Sequence, residues 1–142
     1  YLQNIISFFG ENIAVSGEDD GEVMTLRVES SDINSILIGR GAETLRALQY
    51  IVSSALRAQH AAIVRVSVDI ADYKKQHEEK VADKARGWIE RVRATGEPYT
   101  AHLNPADRRI VHQVAADAAG ITTVSEGEGR ERHVIIQLEE AE

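Results

Sequence analysis

The sequence predicts an α+β protein made of two small domains joined by a long helix. Three observations carry this. Within residues 1–71, two stretches alternate apolar and polar side chains as half-buried strands do. They flank segments with helical spacing, in the order α-β-β-α-α-β. Residues 72–96 form a polar run with one narrow apolar stripe, the pattern of a long, largely solvated helix. Residues 97–142 read as a strand, a helix announced by Asn104-Pro105, and two short strands, a second α+β unit with a three-stranded sheet.

Taken in order, residues 1–9 form a short helix stopped by Gly10, and residues 12–17 form a strand. A turn follows at Glu18-Asp19-Asp20-Gly21. Residues 22–29 place Met24, Leu26 and Val28 on one face and Thr25, Arg27 and Glu29 on the other. Asp32 is positioned to cap a short helix running through Leu37. Gly39-Arg40-Gly41-Ala42 then feeds a helix over residues 43–58, whose apolar face carries Leu45, Leu48, Val52 and Ala55. Residues 63–70 alternate again, Val64, Val66, Val68 and Ile70 against Arg65, Ser67 and Asp69.

The long helix, residues 72–95, has the stripe Val81, Ala85, Trp88 and Val92 and ends at Gly96. It is expected to pack on the second domain through Trp88. A strand over 97–103 precedes a helix with Asn104 as N-cap, Pro105 in its first turn and Asp107 near its third position. That helix runs to about Ala119, where Gly120 ends it. Strands at 121–125 and 133–138 close the chain around a glycine-rich hairpin, with a frayed tail over 139–142.

Bulk composition narrows the function. With 142 residues, 43% of them apolar, the chain can bury a real core. The absence of cysteine excludes disulfides and cysteine-based metal or nucleophile chemistry, and it fits a cytoplasmic protein. No run approaches the ~20 apolar residues of a membrane span, and no signal-peptide pattern opens the chain, so membrane insertion is not expected. Net charge is −7, and neither half is basic: residues 1–70 carry 5 basic and 9 acidic residues, the remainder 11 and 14. Nucleic-acid binding must therefore use local patches, with modest, salt-sensitive affinity.

Two patches qualify. Gly39 and Gly41 let a ligand approach the main chain, Arg40 adds a planar cation, and the helix that follows offers unpartnered amides with partial positive charge. Such a turn suits a sugar-phosphate backbone; the alternative is an ordinary glycine loop. The second patch is Arg108 and His112, four apart at the rim of the arc formed by Val111, Val114, Ala115 and Ala118, with Arg109 pointing away. The pair can grip a phosphate, or the histidine can simply lock the helix in place. Arg130 and Arg132 join them if the hairpin folds over that helix.

Enzymatic readings fail. His77-Glu78 begins like a zinc-binding helix, but Val81 stands where a second histidine belongs. There is no Walker loop, no complete dinucleotide fingerprint and no nucleophile elbow. His60, His77, His102, His112 and His133 are scattered. Neither catalysis nor a cofactor or metal is expected.

The segment Ile38-Gly39-Arg40-Gly41-Ala42-Glu43-Thr44-Leu45-Arg46-Ala47-Leu48-Gln49 resembles the glycine-loop segment of a bacterial KH domain. Asn104-Pro105-Ala106-Asp107-Arg108-Arg109-Ile110-Val111-His112 resembles the helix of the domain named for its Arg-x-x-x-His motif. Ser125 to Gly129 and His133 to Ile136 are similar to that domain's closing hairpin. In this order the motifs resemble the Jag family, also called SpoIIIJ-associated protein, KhpB or EloR, over nearly the whole chain. The resemblance implies a KH-like domain at 1–71, a connecting helix at 72–96 and an Arg-x-x-x-His domain at 97–142. It also implies a cytoplasmic, non-enzymatic regulator of bacterial cell elongation and division that binds single-stranded RNA. The partner it suggests is a small KH-domain protein, with a homodimer as the alternative. Relatives often carry a further N-terminal domain and linker, so the abrupt start at a helix implies a C-terminal portion of a longer protein.

On this reading the turn from Gly39 to Ala42 holds the RNA backbone, bases lie against Ile38 and Leu45, and Thr44 and Arg46 sit at the rim. Arg108 and His112 bind further backbone, with Arg130 and Arg132 assisting. One departure matters: the KH loop is Gly-x-x-Gly, and here Ala42 replaces the closing glycine. Ala42 fits if its angles are helical; at positive φ it costs of order 1 kcal/mol. Weaker RNA binding than is typical of the family is expected from this loop. The rival readings are a protein-interaction scaffold using the KH surface, and single-stranded DNA binding.

Overall fold

The computed structural model describes residues 1–62 and 65–140. It is a mixed α+β structure with two three-stranded sheets, dividing into compact units Tyr1–Lys74 and Lys75–Glu142.

In the first unit, helix α1 (Leu2–Ser7) buries Leu2 and Ile6. Strand β1 (Val15–Asp19) pairs antiparallel with β2 (Val23–Val28), from Val15 opposite Val28 to Asp19 opposite Met24. The expected strand at 12–17 is therefore displaced toward the turn. Asp19 Oδ1 accepts from Gly21 N at 2.8 Å, and Asp20 Oδ1 accepts from Glu22 N at 2.9 Å and Val23 N at 2.8 Å. Those caps tighten the turn, so Asp19 pairs within the ladder, while Ile13 plugs the core from outside the strand. The Val23 and Glu22 amides hold the Asp20 carboxyl below the usual carboxylate range.

Asp32 does not cap helix α2 (Asn34–Ile38); Ile33 occupies the N-cap without a side-chain bond. Asn34 takes over locally, accepting from Ser31 N at 2.9 Å and donating to Ser30 Oγ at 2.9 Å. After a 3-10 turn (Arg40–Ala42), helix α3 (Glu43–Ala58) buries Leu45, Leu48 and Val52, while Ala55 is half-buried. It crosses back to β3 (Arg65–Ile70), which lies parallel to β2, giving the order β1-β2-β3. Ile63 and Val64, on which the expected start of that strand falls, lie outside the described residues. Ile6, Leu37, Val68 and Ile70 form the centre of this core.

Helix α4 (Tyr73–Thr95) buries Val81, Ala85, Ile89 and Val92. Ile89, not Trp88, completes the seam. Trp88 sits at its edge, half-buried, stacked on Tyr99 with ring centroids 5.2 Å apart. Strand β4 (Tyr99–Ala101) is shorter than expected, and helix α5 (Pro105–Ala116) stops before Ala119. Strands β5 (Ile121–Glu126) and β6 (His133–Leu138) complete an antiparallel sheet of order β4-β6-β5. Ala101, Val134, Ile121 and Ile136 face the buried residues of α4 and of α5 (Val111 and Ala115). Among the described residues no helix is long and apolar enough to cross a membrane.

Candidate functional site

The glycine turn has an unusual backbone. Gly39 adopts φ 73°, ψ 173°, a region accessible essentially to glycine alone. A Cβ there would collide with Thr44 Oγ1 and come within 2.9 Å of the Thr44 Cβ and amide nitrogen. Gly41 (φ 57°, ψ 29°) and Ala42 (φ 60°, ψ 28°) are both left-handed. Of the two conformations open to Ala42, the structure has the strained one. Ala42 is also the N-cap of α3 and offers its first amides no side-chain acceptor. The turn thus presents orphan N–H groups at a helix start, beside two glycines.

Arg40 is exposed, and among the described residues its guanidinium makes no hydrogen bond or ion pair. Arg46, also exposed, donates from Nη1 to the Gly41 carbonyl at 2.7 Å, which braces the turn and holds a second cation beside it. Ile38 and Thr44 are half-buried. Leu45 does not line a groove. It is 3% exposed and belongs to the core, because its helical position shares the face of Leu48 and Val52.

A polar cluster that the periodicity did not reveal ties α3 to the β3 edge. Gln49 Oε1 accepts from Val68 N at 3.0 Å and from Lys74 Nζ at 3.4 Å, and Lys74 donates to Ser67 Oγ at 2.7 Å. Partial burial pulls the Lys74 ammonium below the usual lysine value, with Asp69 opposing.

In the second unit, Arg108 is half-buried and has no carboxylate partner among the described residues. Its Nη1 donates to the carbonyls of Leu103 (2.8 Å) and Arg132 (3.3 Å), so it clips the segment after β4 to the segment before β6. His112 has both ring nitrogens engaged: Nδ1 lies 2.7 Å from Thr123 Oγ1 and Nε2 lies 2.8 Å from Ser125 Oγ. This geometry locks α5 onto β5. Arg132 folds back to donate from Nη1 to the Gly127 carbonyl at 2.9 Å, closing the hairpin. Arg130 is exposed on the 3-10 turn Gly129–Glu131. The hairpin therefore brings Arg132 against Arg108 through its backbone, while Arg109 is exposed on α5.

The start of α5 is anchored by a buried carboxylate. Asp107, 7% exposed, accepts from Asn104 Nδ2 at 3.1 Å, and its Oδ1 lies 2.8 Å from His77 Nε2 on α4. Its amide donates to Asn104 Oδ1 at 2.9 Å. The Asn104-x-x-Asp107 spacing is the readable sign of this cap; His77, thirty residues away, has no such sign.

Comparison with known proteins agrees with these motifs. Residues 75–138 match the family of the R-x3-H domain, the one named for its Arg-x-x-x-His motif. The chain is similar to the RNA-binding protein KhpB of Clostridium symbiosum, at 30% identity over 89% of this chain and 57% of that protein. It is similar to the protein of the same name in Streptococcus pneumoniae, at 24% identity over 98% of this chain and 42% of that one. The Bacillus subtilis KhpB is 26% identical over 96% of this chain and 66% of its own length. The chain thus spans about half the length of the first two of these relatives. Together these likenesses support the Jag/KhpB family.

Proposed function

We propose that the chain binds single-stranded RNA, as a cytoplasmic, non-enzymatic regulator linked to bacterial cell elongation and division. The observation that carries this is the Arg40 turn: an exposed guanidinium without a hydrogen bond or ion pair among the described residues, at the mouth of a glycine-bearing turn that opens a helix. The turn from Gly39 to Ala42 takes the phosphodiester, with Arg46 beside it and Ile38 and Thr44 at its edge. A module of this size engages about four nucleotides. In the second unit Arg108, Arg130 and Arg132 take further backbone, and His112 serves that surface by fixing α5 against β5. The name of the relatives, RNA-binding protein, supports the same reading.

The test is Arg40→Asp, because Arg40 is exposed and makes no hydrogen bond or ion pair among the described residues. Reversal should weaken single-stranded RNA binding several-fold and lower the salt slope of log K by about 0.7, one phosphate contact. Unchanged affinity would remove the turn from the interface. Single-stranded DNA and duplex competitors in the same titration decide whether RNA is preferred.

One observation favours a second reading, a scaffold for a small KH-type partner or a second copy. Tyr50 and Ile51 on the outer face of α3 are 69% and 48% exposed. Under that reading Ile51→Asp abolishes the complex and spares RNA binding.

A further inference from the structure

Within the second unit, α4 and α5 pack against one face of the sheet, and exposed side chains lie on the other. Ala101, opposite Val134 in the β4–β6 register, points into the core. Alternation along the strands puts Thr100, His102, His133 and Ile135 on the other face, with Val124, the β5 partner of Ile135. Thr100 and His102 are exposed, and Val124 is 42% exposed.

At one end of this face the two imidazoles meet. The His102 and His133 ring centroids are 5.2 Å apart at an interplanar angle of 51°. His133 is fixed by Nδ1, which donates to the Glu131 carbonyl at 2.9 Å. Arg108 clips the carbonyls of Leu103 and Arg132, the residues next to His102 and His133. One guanidinium therefore sets the spacing of the two strands that carry the pair. Arg132, whose carbonyl accepts from Arg108, and Arg130 belong to the hairpin that leads into His133. Glu126 lies opposite His133 in the register and is exposed, so it repels phosphate from the face itself. A polynucleotide backbone is thereby confined to the arginine margin, and its bases are directed inward onto flat rings and the apolar Val124 and Ile135.

We infer that His102, backed by His133, is a base-stacking shelf on this open sheet face, loaded by single-stranded RNA whose backbone follows Arg108 and Arg132. This deepens the RNA-binding reading and rests on it.

The test uses the whole chain and two ligands of equal charge: a single-stranded RNA decamer and the same decamer made abasic. Affinities are read by fluorescence anisotropy at one stated salt concentration. His102→Ala should weaken binding of ordinary RNA about five-fold or more and leave the abasic ligand unchanged. His102→Phe, which keeps a flat ring and removes the nitrogens, should restore binding. If His102→Ala is silent while the unmodified chain binds RNA, the shelf is refuted and the Arg40 reading stands. Equal losses on both ligands mean a phosphate contact and also refute it. If the unmodified chain binds neither ligand, both readings fall. If the chain is a dimer that Val124→Glu converts to monomer, a second copy covers this face and the inference is overturned.

Discussion

Ala42→Gly should stabilise the first unit, an unusual outcome for a substitution to glycine at the start of a helix. Ala42 sits at φ 60°, ψ 28°. A left-handed conformation costs an L-residue about 1–2 kcal/mol that glycine escapes. Two terms oppose the gain. Glycine makes the unfolded chain more flexible, by roughly 0.4–1 kcal/mol. The lost methyl is half-buried against the core, worth about 0.4 kcal/mol, half of one buried carbon. The balance is a net stabilisation of about 0.5 kcal/mol, or roughly 2–4 °C in Tm for a unit of this size. Trp88, the sole tryptophan, lies in the second unit, so its fluorescence reads the wrong half. Amide hydrogen exchange of α3 peptides, with far-UV melting of the whole chain, reads the right one. A variant destabilised by about 0.5 kcal/mol or more would refute the left-handed assignment at residue 42.

The neighbouring glycine should behave in the opposite way. Gly39→Ala places a methyl on Thr44 in a backbone region closed to alanine, so protection of the α3 amides should fall sharply; retained protection would contradict the turn geometry. Asp107→Ala removes the buried carboxylate that accepts from Asn104 and faces His77 and should cost on the order of 1 kcal/mol, read as a lower urea midpoint of Trp88 fluorescence. A shift within error would mean that solvent replaces those bonds freely. Asp20→Ala should loosen the β1–β2 turn at neutral pH. Because the folded carboxyl titrates below 3.8, its stabilising contribution is complete above that value and disappears as pH falls through the folded pKa. The deficit relative to the unmodified chain should therefore shrink in acid, and a deficit independent of pH would exclude the carboxylate as its source.

Periodicity made the mixed α+β class and the long elements readable, because a repeat of about 3.6 or 2.0 residues states which face of an element is buried. It does not state which partner that face meets. The seam of α4 shows the limit: Trp88 and Ile89 are adjacent, both fit an apolar stripe, and only the stacking of Trp88 on Tyr99 moves it out to the edge. Strand β1 shows another, since its register follows the aspartate caps of the turn rather than its apolar residues. The polar anchors are harder still. His112 reads as a rim residue on α5, and its bonds to Thr123 and Ser125 come from a strand that sequence spacing cannot orient. The same holds for His77 with Asp107.

Local rules break at Ala42, which shares a left-handed angle with His60, Ala71 and Asp72, and at Asp107, a charged residue that is buried. Ala42 lies two residues from Arg40, and Asp107 adjoins Arg108. A chain shaped by packing alone has little reason to keep strain and a desolvated carboxylate at those two helix starts. A chain that must hold an arginine at a fixed angle has a reason: Ala42 ends the turn that projects Arg40, and Asp107 fixes the first turn of the helix that carries Arg108. Two of the places where local rules give way thus lie within two residues of the arginines that the RNA-binding reading requires.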